Sequence, residues 1–282
     1  MASQPDTRDH RRHYTPAALF MIVLAASIPY WTARHCILFF DSLQLNEMPN
    51  AGDMGTAVST LVRQFWIPGQ NLSMLSIAFN HKINTLLGWP GFDPFLMVAT
   101  NVAVHAFNSV LVFLLLRAIL RGTGRSGAAE GIAPLAAALL FAAHPIHVTT
   151  VVYVVQRRTL ITAMFYLLSL FCYLRIREPG RGHQQTAWIV ALIVAGWLSV
   201  QSKTMGMTLP IAIAALEICL RVARGQRIQS ALIAMGIVAC LFAAASIGIV
   251  WRLGYLNVGT WSINTMPIVN APFSWGFRDF AL

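Results

Sequence analysis

Six residues are the first candidates for chemistry in this chain: Asp41, His144, His147, Arg157, Arg158 and Lys203. Five of them are basic, and four of those fall in the stretch HPIHVTTVVYVVQRR, residues 144–158, with apolar segments on both sides. The stretch is too short to cross a bilayer, which takes about 20 mostly apolar residues. Pro145 suits the first position of a helix, with His144 flanking it. His147 and Arg158 stand eleven residues apart, close to three helical turns, so a continuous helix puts them on one face. An imidazole and a guanidinium on one face can grip a phosphate through charge-assisted hydrogen bonds. Metal ligation is the rival reading of His-x-x-His, but no carboxylate stands nearby to complete a set. Asp41 sits directly behind an apolar tripeptide in LFFDSLQLNE, which puts it at the membrane–water boundary. A carboxylate there can take the proton of an acceptor hydroxyl or hold a metal ion; it can equally cap a helix or a turn. Glu47, Asp53 and Asp93 lie among Asn, Pro and Gly and read first as turn residues.

The elements that position these groups are apolar. Hydrophobic residues make up 57% of the 282, and charged residues 11%, against about 25% charge in soluble domains. The chain reads as an all-α polytopic membrane protein. Seven candidate spans stand out, at 15–33, 95–117, 131–146, 159–176, 187–202, 205–221 and 229–251. The first follows a basic flank, Arg8, Arg11 and Arg12, and lacks a good small-residue cleavage site, so it reads as an uncleaved signal anchor behind a cytoplasmic tail at 1–14. Cys36, Cys172, Cys219 and Cys240 have neither redox nor zinc spacing and read as small buried hydrophobes.

Arginines fix the expected orientation. Clusters at 8–12, 117–125, 175–181 and 221–227 fall on one side of the seven spans. By the positive-inside rule that side is the cytoplasm. The net charge of +10 therefore reports topology and implies no nucleic-acid partner. The segments 34–94, 144–158, 201–205 and 252–282 then face outward, into the periplasm of a bacterial inner membrane. Arg157, Arg158 and Lys203 lie on that outer side at span ends, against the bias. Such charges suggest a site for an anion, and a lipid-linked phosphate is the natural one.

The large outer loop, 34–94, carries two helical patterns. Ala57, Val58, Leu61, Val62, Phe65 and Trp66 form one apolar stripe; IPGQ breaks the pattern; Leu72, Leu75, Phe79, Ile83 and Leu86 form a second. Both suit amphipathic helices lying on the membrane surface. Ser73, Ser76, Asn80 and Asn84 make a polar stripe opposite the second, a candidate acceptor groove.

HPIHVTTVVYVVQRRTLITAMFYLLSLFCYLR, LFFDSLQLNE, NLSMLSIAFNHKINTLLGWPGFDPFLMVATNVAVHAFNSVLVFLLLR and SKTMGMTLPIAIAALEICL together resemble, in order, stretches of bacterial relatives of the transmembrane-and-tetratricopeptide-repeat mannosyltransferases, of the GT-C superfamily. The resemblance covers about residues 15–225. It implies a GT-C-like transmembrane domain over 15–282 and transfer of a sugar from a polyprenyl-phosphate carrier to an acceptor protein or glycan outside the cytoplasm. Asp41 would then be the catalytic base, and His144, His147, Arg157, Arg158 and Lys203 would hold the donor phosphate. No metal ligand set is assigned and no cofactor is required, though a divalent ion remains open. Three positions depart from the pattern: Ser42 replaces a second aspartate, Gln70-Asn71 replaces Arg-Pro, and Thr204 replaces a glutamate. These departures weaken a metal-holding carboxylate pair and keep a non-catalytic scaffold in play. A transporter of lipid-linked anions is a further alternative; it calls for charges in mid-membrane. GT-C enzymes have around a dozen spans, so seven imply an N-terminal fragment, with 252–282 a truncated outer loop and helical repeats to follow.

Overall fold

The computed structural model describes residues 7–35, 42, 45, 49–64, 69–123, 129–178, 182–230 and 233. The chain divides into two units, Met1–Leu232 and Ile233–Leu282, and the described residues other than Ile233 belong to the first. Asp41, Glu47, the expected loop at 252–282 and nearly all of the expected span at 229–251 lie outside the described residues.

Most of the described residues are helical and none of them forms a strand, as in an all-α membrane protein. They form α1 (Thr7–Ser27), α2 (Pro49–Gly52), α3 (Met54–Arg63), α4 (Asn71–Leu86), α5 (Pro94–Gly122), α6 (Ala129–Ala143), α7 (Val148–Val152), α8 (Arg157–Ile176), α9 (Gly182–Ser202) and α10 (Leu209–Ala223). Short 3₁₀ turns follow α1, flank α7 and precede α10. Among the described residues four helical stretches are long and apolar enough to cross a membrane: Pro94–Gly122, Val154–Ile176, Gln184–Ser202 and Thr204–Ala223. A fifth arises if Gly131–Ala143 and Pro145–Val152, bent by 45°, count as one. The apolar part of the first helix, Pro16–Trp31, is shorter than these. α1 begins at Thr7, so the basic residues expected in an N-terminal tail continue the helix.

α5 is the central element. Asp93 caps it, its carboxylate accepting from Leu96 N–H at 2.9 Å, and Pro94 opens the first turn. Its 29 residues make a rod about 43 Å long, and α1, α6 and α8 all pack along it. Ala26, Ala106 and Ala142 pack together between α1, α5 and α6; small residues allow close approach of helices where lipid offers no hydrophobic drive. α8 and α9 form the other main pair.

α4 buries a mixed face. Ser73, Asn80 and Asn84 lie inside together with Met74, Ile77 and Ala78, whereas Phe79, Ile83 and Leu86 are exposed beside Lys82 and Thr85. The polar stripe expected to line an acceptor groove is thus interior packing, because it surrounds a buried cation.

Candidate functional site

The segment between α6 and α8 is broken twice. His144 adopts an extended backbone and caps the turn Pro145–His147, its Nδ1 accepting from Ile146 N–H at 3.2 Å. Tyr153 is extended again between α7 and the next turn. The continuous helix needed to put His147 and Arg158 on one face is therefore absent. His147 instead packs against Phe141 (ring centroids 4.5 Å apart) and His105 (5.1 Å), with His144 at 6.3 Å.

Such breaks leave backbone carbonyls needing donors, and one face of α5 supplies two. Asn101 Nδ2 donates to Val151 O at 2.9 Å; Asn108 Nδ2 reaches Leu160 O, already inside α8, at 3.0 Å. His105 Nε2 lies 3.0 Å from Ala142 O. All three side chains are buried. The sequence reading missed this seam. Its signal was polar residues at i, i+4 and i+7 on one face of an apolar span.

Arg157 departs from its expected role. It is 0% exposed. Its Nε donates to Asn101 Oδ1 (2.7 Å), Nη1 to Ser76 O (3.2 Å), and Nη2 to Asn80 Oδ1 (2.9 Å) and Met97 O (2.8 Å). A guanidinium has five N–H groups, and four of them meet protein oxygens. Arg157 is a clasp binding α8 to α4 and α5, and it is not presented to a ligand. Asn80 belongs to the same clasp. Ser73 donates to Gln70 O (2.8 Å) and Ser202 O (3.2 Å), and Ser76 Oγ to Ser73 O (2.7 Å). Ser73 and Asn80 are buried and Ser76 is partly buried, so the stripe packs toward the interior.

Arg158 and Lys203 do come together. Arg158 Nη1 donates to Gln70 Oε1 at 2.8 Å, while its buried Nε has no partner. Lys203 Nζ donates to Thr159 Oγ1 at 3.0 Å. Burial, and then the nearby Arg158 charge, hold the Lys203 ammonium below the ordinary lysine range. Among the described residues no carboxylate pairs with either. Two cations, one carrying a buried donor without a partner among the described residues, thus lie near one another where the N-terminal ends of α4 and α8 meet the α9–α10 break. An anion would satisfy both charge and donor. Among the described residues no hydrogen bond or ring contact joins this pair to His144 or His147.

The break that carries Lys203 depends on Gly206. A Cβ there would lie 2.5 Å from the Ser199 carbonyl carbon and 2.6 Å from Val200 N. Those are backbone atoms of α9 and cannot swing aside. Gly206→Ala is expected to cost about 1–3 kcal/mol through overpacking. Gly131→Ala, where nothing lies within 4 Å, is expected to be neutral or slightly stabilising. Thermal unfolding of the two variants in detergent checks the contrast; equal melting points remove the close-approach argument.

Ser42 is buried, and its hydroxyl accepts from Val155 N–H at 3.4 Å. Asp53 and Asp93 are helix caps, as their turn contexts suggest. The hydrogen bond from Thr56 holds the Asp53 carboxyl below its usual value. Among the described residues no group of three or more His, Cys, Asp or Glu gathers as a metal site. Cys172 is buried, whereas Cys219 is exposed.

The fold defines a multi-pass membrane protein with cationic side chains at the ends of its helices. Its relatives are named as mannosyltransferases. Human protein O-mannosyl-transferase TMTC4 is 34% identical over 146 residues, 49% of this chain and 19% of that protein. Protein O-mannosyl-transferase Tmtc2 of Drosophila melanogaster is 34% identical over 172 residues, 57% of this chain and 17% of that protein. Mouse TMTC3 is 24% identical over 199 residues, 67% and 20% respectively. The matched part of the chain spans about a fifth of the length of these curated relatives. All three are animal proteins. No family model matches the chain, and no solved structure does.

Proposed function

We propose that this chain carries the donor-binding part of a glycosyltransferase that takes a sugar, a hexose such as mannose, from a polyprenyl-phosphate carrier. The observation that carries the reading is the Arg158–Lys203 pair, cationic and without a carboxylate among the described residues. The mannosyltransferase names of the relatives support the reaction class.

In this reading the Asp41 carboxylate takes the proton of an acceptor hydroxyl. The hydroxyl oxygen attacks the anomeric carbon, the bond from that carbon to the phosphate oxygen breaks, and the lipid phosphate leaves as an anion. The configuration inverts, and the proton passes from Asp41 to water. Arg158 and Lys203 stabilise the charge growing on the leaving phosphate. His144 and His147 are assigned to the donor side as secondary contacts, and Arg157 moves from ligand to clasp. The acceptor is a protein or glycan on the outer face of a bacterial inner membrane, with the N-terminus cytoplasmic. The domain extent of 15–282, with its outer loop at 34–94, belongs to the same proposal.

The test uses the complete protein in membranes with radiolabelled polyprenyl-phosphate mannose. Arg158→Gln and Lys203→Gln each remove a charge-assisted contact worth about 1.5–3 kcal/mol, so each is expected to lower kcat/KM roughly ten- to a hundredfold. Unchanged kcat/KM in both removes the pair from the donor site. A second reading, a non-catalytic scaffold, is favoured by Ser42, whose buried hydroxyl accepts a backbone N–H where the resembled family has a carboxylate. It predicts no transfer by the natural protein and transfer after Ser42→Asp with Thr204→Glu.

A further inference from the structure

The opposite end of α8 carries a second cationic surface with its own construction. There the C-terminal turns of α5, α8 and α10 meet, with Leu115, Leu174 and Leu220 packed as one buried cluster. α8 has 20 residues, about 30 Å, so this end lies roughly one bilayer core away from Arg158.

The charges here are tied to the backbone. Arg224 Nε donates to Gly122 O at 2.5 Å, fixing the end of α10 beside the residue that follows Arg121. α10 closes with Gly225 at a φ of +65°, Gln226 N–H on Arg221 O (2.9 Å) and Gly225 N–H on Val222 O (3.0 Å). That is a Schellman ending, which only a residue free in the left-handed region adopts readily. Arg221 then holds the following turn, its Nη1 donating to Ser230 Oγ (2.9 Å) and to Arg227 O (3.4 Å). Glu217, a carboxylate of this end, is fully engaged: it pairs with Arg177 and Arg221 and accepts from the Tyr173 hydroxyl, while Glu178 pairs with Arg175. Arg121, Arg224 and Arg227 are exposed, and among the described residues no carboxylate pairs with them.

Topology alone asks for basic residues in this region. It does not ask that they be mounted on one platform of three joined helix ends with the nearby carboxylates already paired. We propose that this platform binds the headgroup of an anionic phospholipid from the leaflet it faces, through Arg121, Arg224 and Arg227. Each such charge near an anionic surface contributes about 1 kcal/mol, so three together give roughly a hundredfold preference over a zwitterionic lipid. The inference is independent of the sugar-transfer reading, because the platform and the Arg158–Lys203 pair lie at opposite ends of α8.

The experiment uses the complete protein in nanodiscs of phosphatidylcholine with a minor fraction of phosphatidylglycerol. Native mass spectrometry counts the retained lipid. The triple variant Arg121→Gln, Arg224→Gln, Arg227→Gln is expected to retain phosphatidylglycerol at least tenfold less strongly. The corresponding triple lysine variant is expected to stay within about twofold of the natural protein. Should the glutamine variant fail to fold, Arg227→Glu alone is read in the same way. Undiminished retention in the charge-removed variants overturns the proposal. So does displacement of the lipid by millimolar inorganic phosphate, which would make this a site for a free anion.

Discussion

Replacing Arg157 by methionine is expected to destabilise the helix bundle by about 2–4 kcal/mol, seen as a lower melting temperature in detergent and reduced accumulation in membranes. The substitution keeps the volume and removes the donors. Asn80 Oδ1 and Asn101 Oδ1, both at buried residues, lose their partner, and an orphaned buried acceptor costs about 1–3 kcal/mol. An opposing effect is the relief of no longer burying a cation that has only neutral oxygens around it. The loss wins because two buried acceptors are stranded at once and α4 is released from α5 and α8. Arg157→Lys is not expected to rescue the protein: one ammonium cannot reproduce the planar fork that reaches Asn101 on one side and Asn80 with Met97 on the other. Replacing the network as a whole, with Asn80→Leu added to Arg157→Met, should recover part of the stability. A melting point for Arg157→Met within a degree of the natural protein would sink the clasp assignment.

Asp41→Asn is expected to reduce sugar transfer by 10²–10⁴-fold, the usual contribution of a general base, with little change in expression or in donor binding. The amide keeps the shape and loses the proton acceptor, so kcat should fall while the donor KM holds. Arg158→Gln and Lys203→Gln should instead weaken handling of the donor phosphate. This split separates base from phosphate ligand in a single assay with one labelled donor. Retained transfer by Asp41→Asn moves the base elsewhere. Absence of transfer by the natural protein, with donor binding intact, favours the scaffold reading.

The order of the helices was readable in the sequence because long apolar runs, broken by Pro, Gly and arginine clusters, leave the chain little other choice in lipid. The helices within 34–94 were readable from their stripes; Asp93, read only as a turn residue, caps α5, and the helix expected at Pro145 is a short 3₁₀ turn. Which way α4 turns was not readable. Its stripes permit either orientation, and the outcome depends on Arg157, a residue 77 positions away from Asn80, needing oxygens in the interior. The separate fates of Arg157 and Arg158 were also hidden. Neighbours on a helix point about 100° apart, so one is fully enclosed and the other opens toward Lys203, but only the packing of α4 and α5 decides which. The shared face of His147 and Arg158 failed for a related reason: the backbone breaks at Tyr153, and donors on α5 satisfy the freed carbonyls. Sequence by itself determined a helical membrane protein with cations at its helix ends. Tertiary structure decided that Arg157 became a clasp while Arg158 was left beside Lys203, because full burial of a guanidinium needs neighbouring helices to supply oxygens for most of its donors.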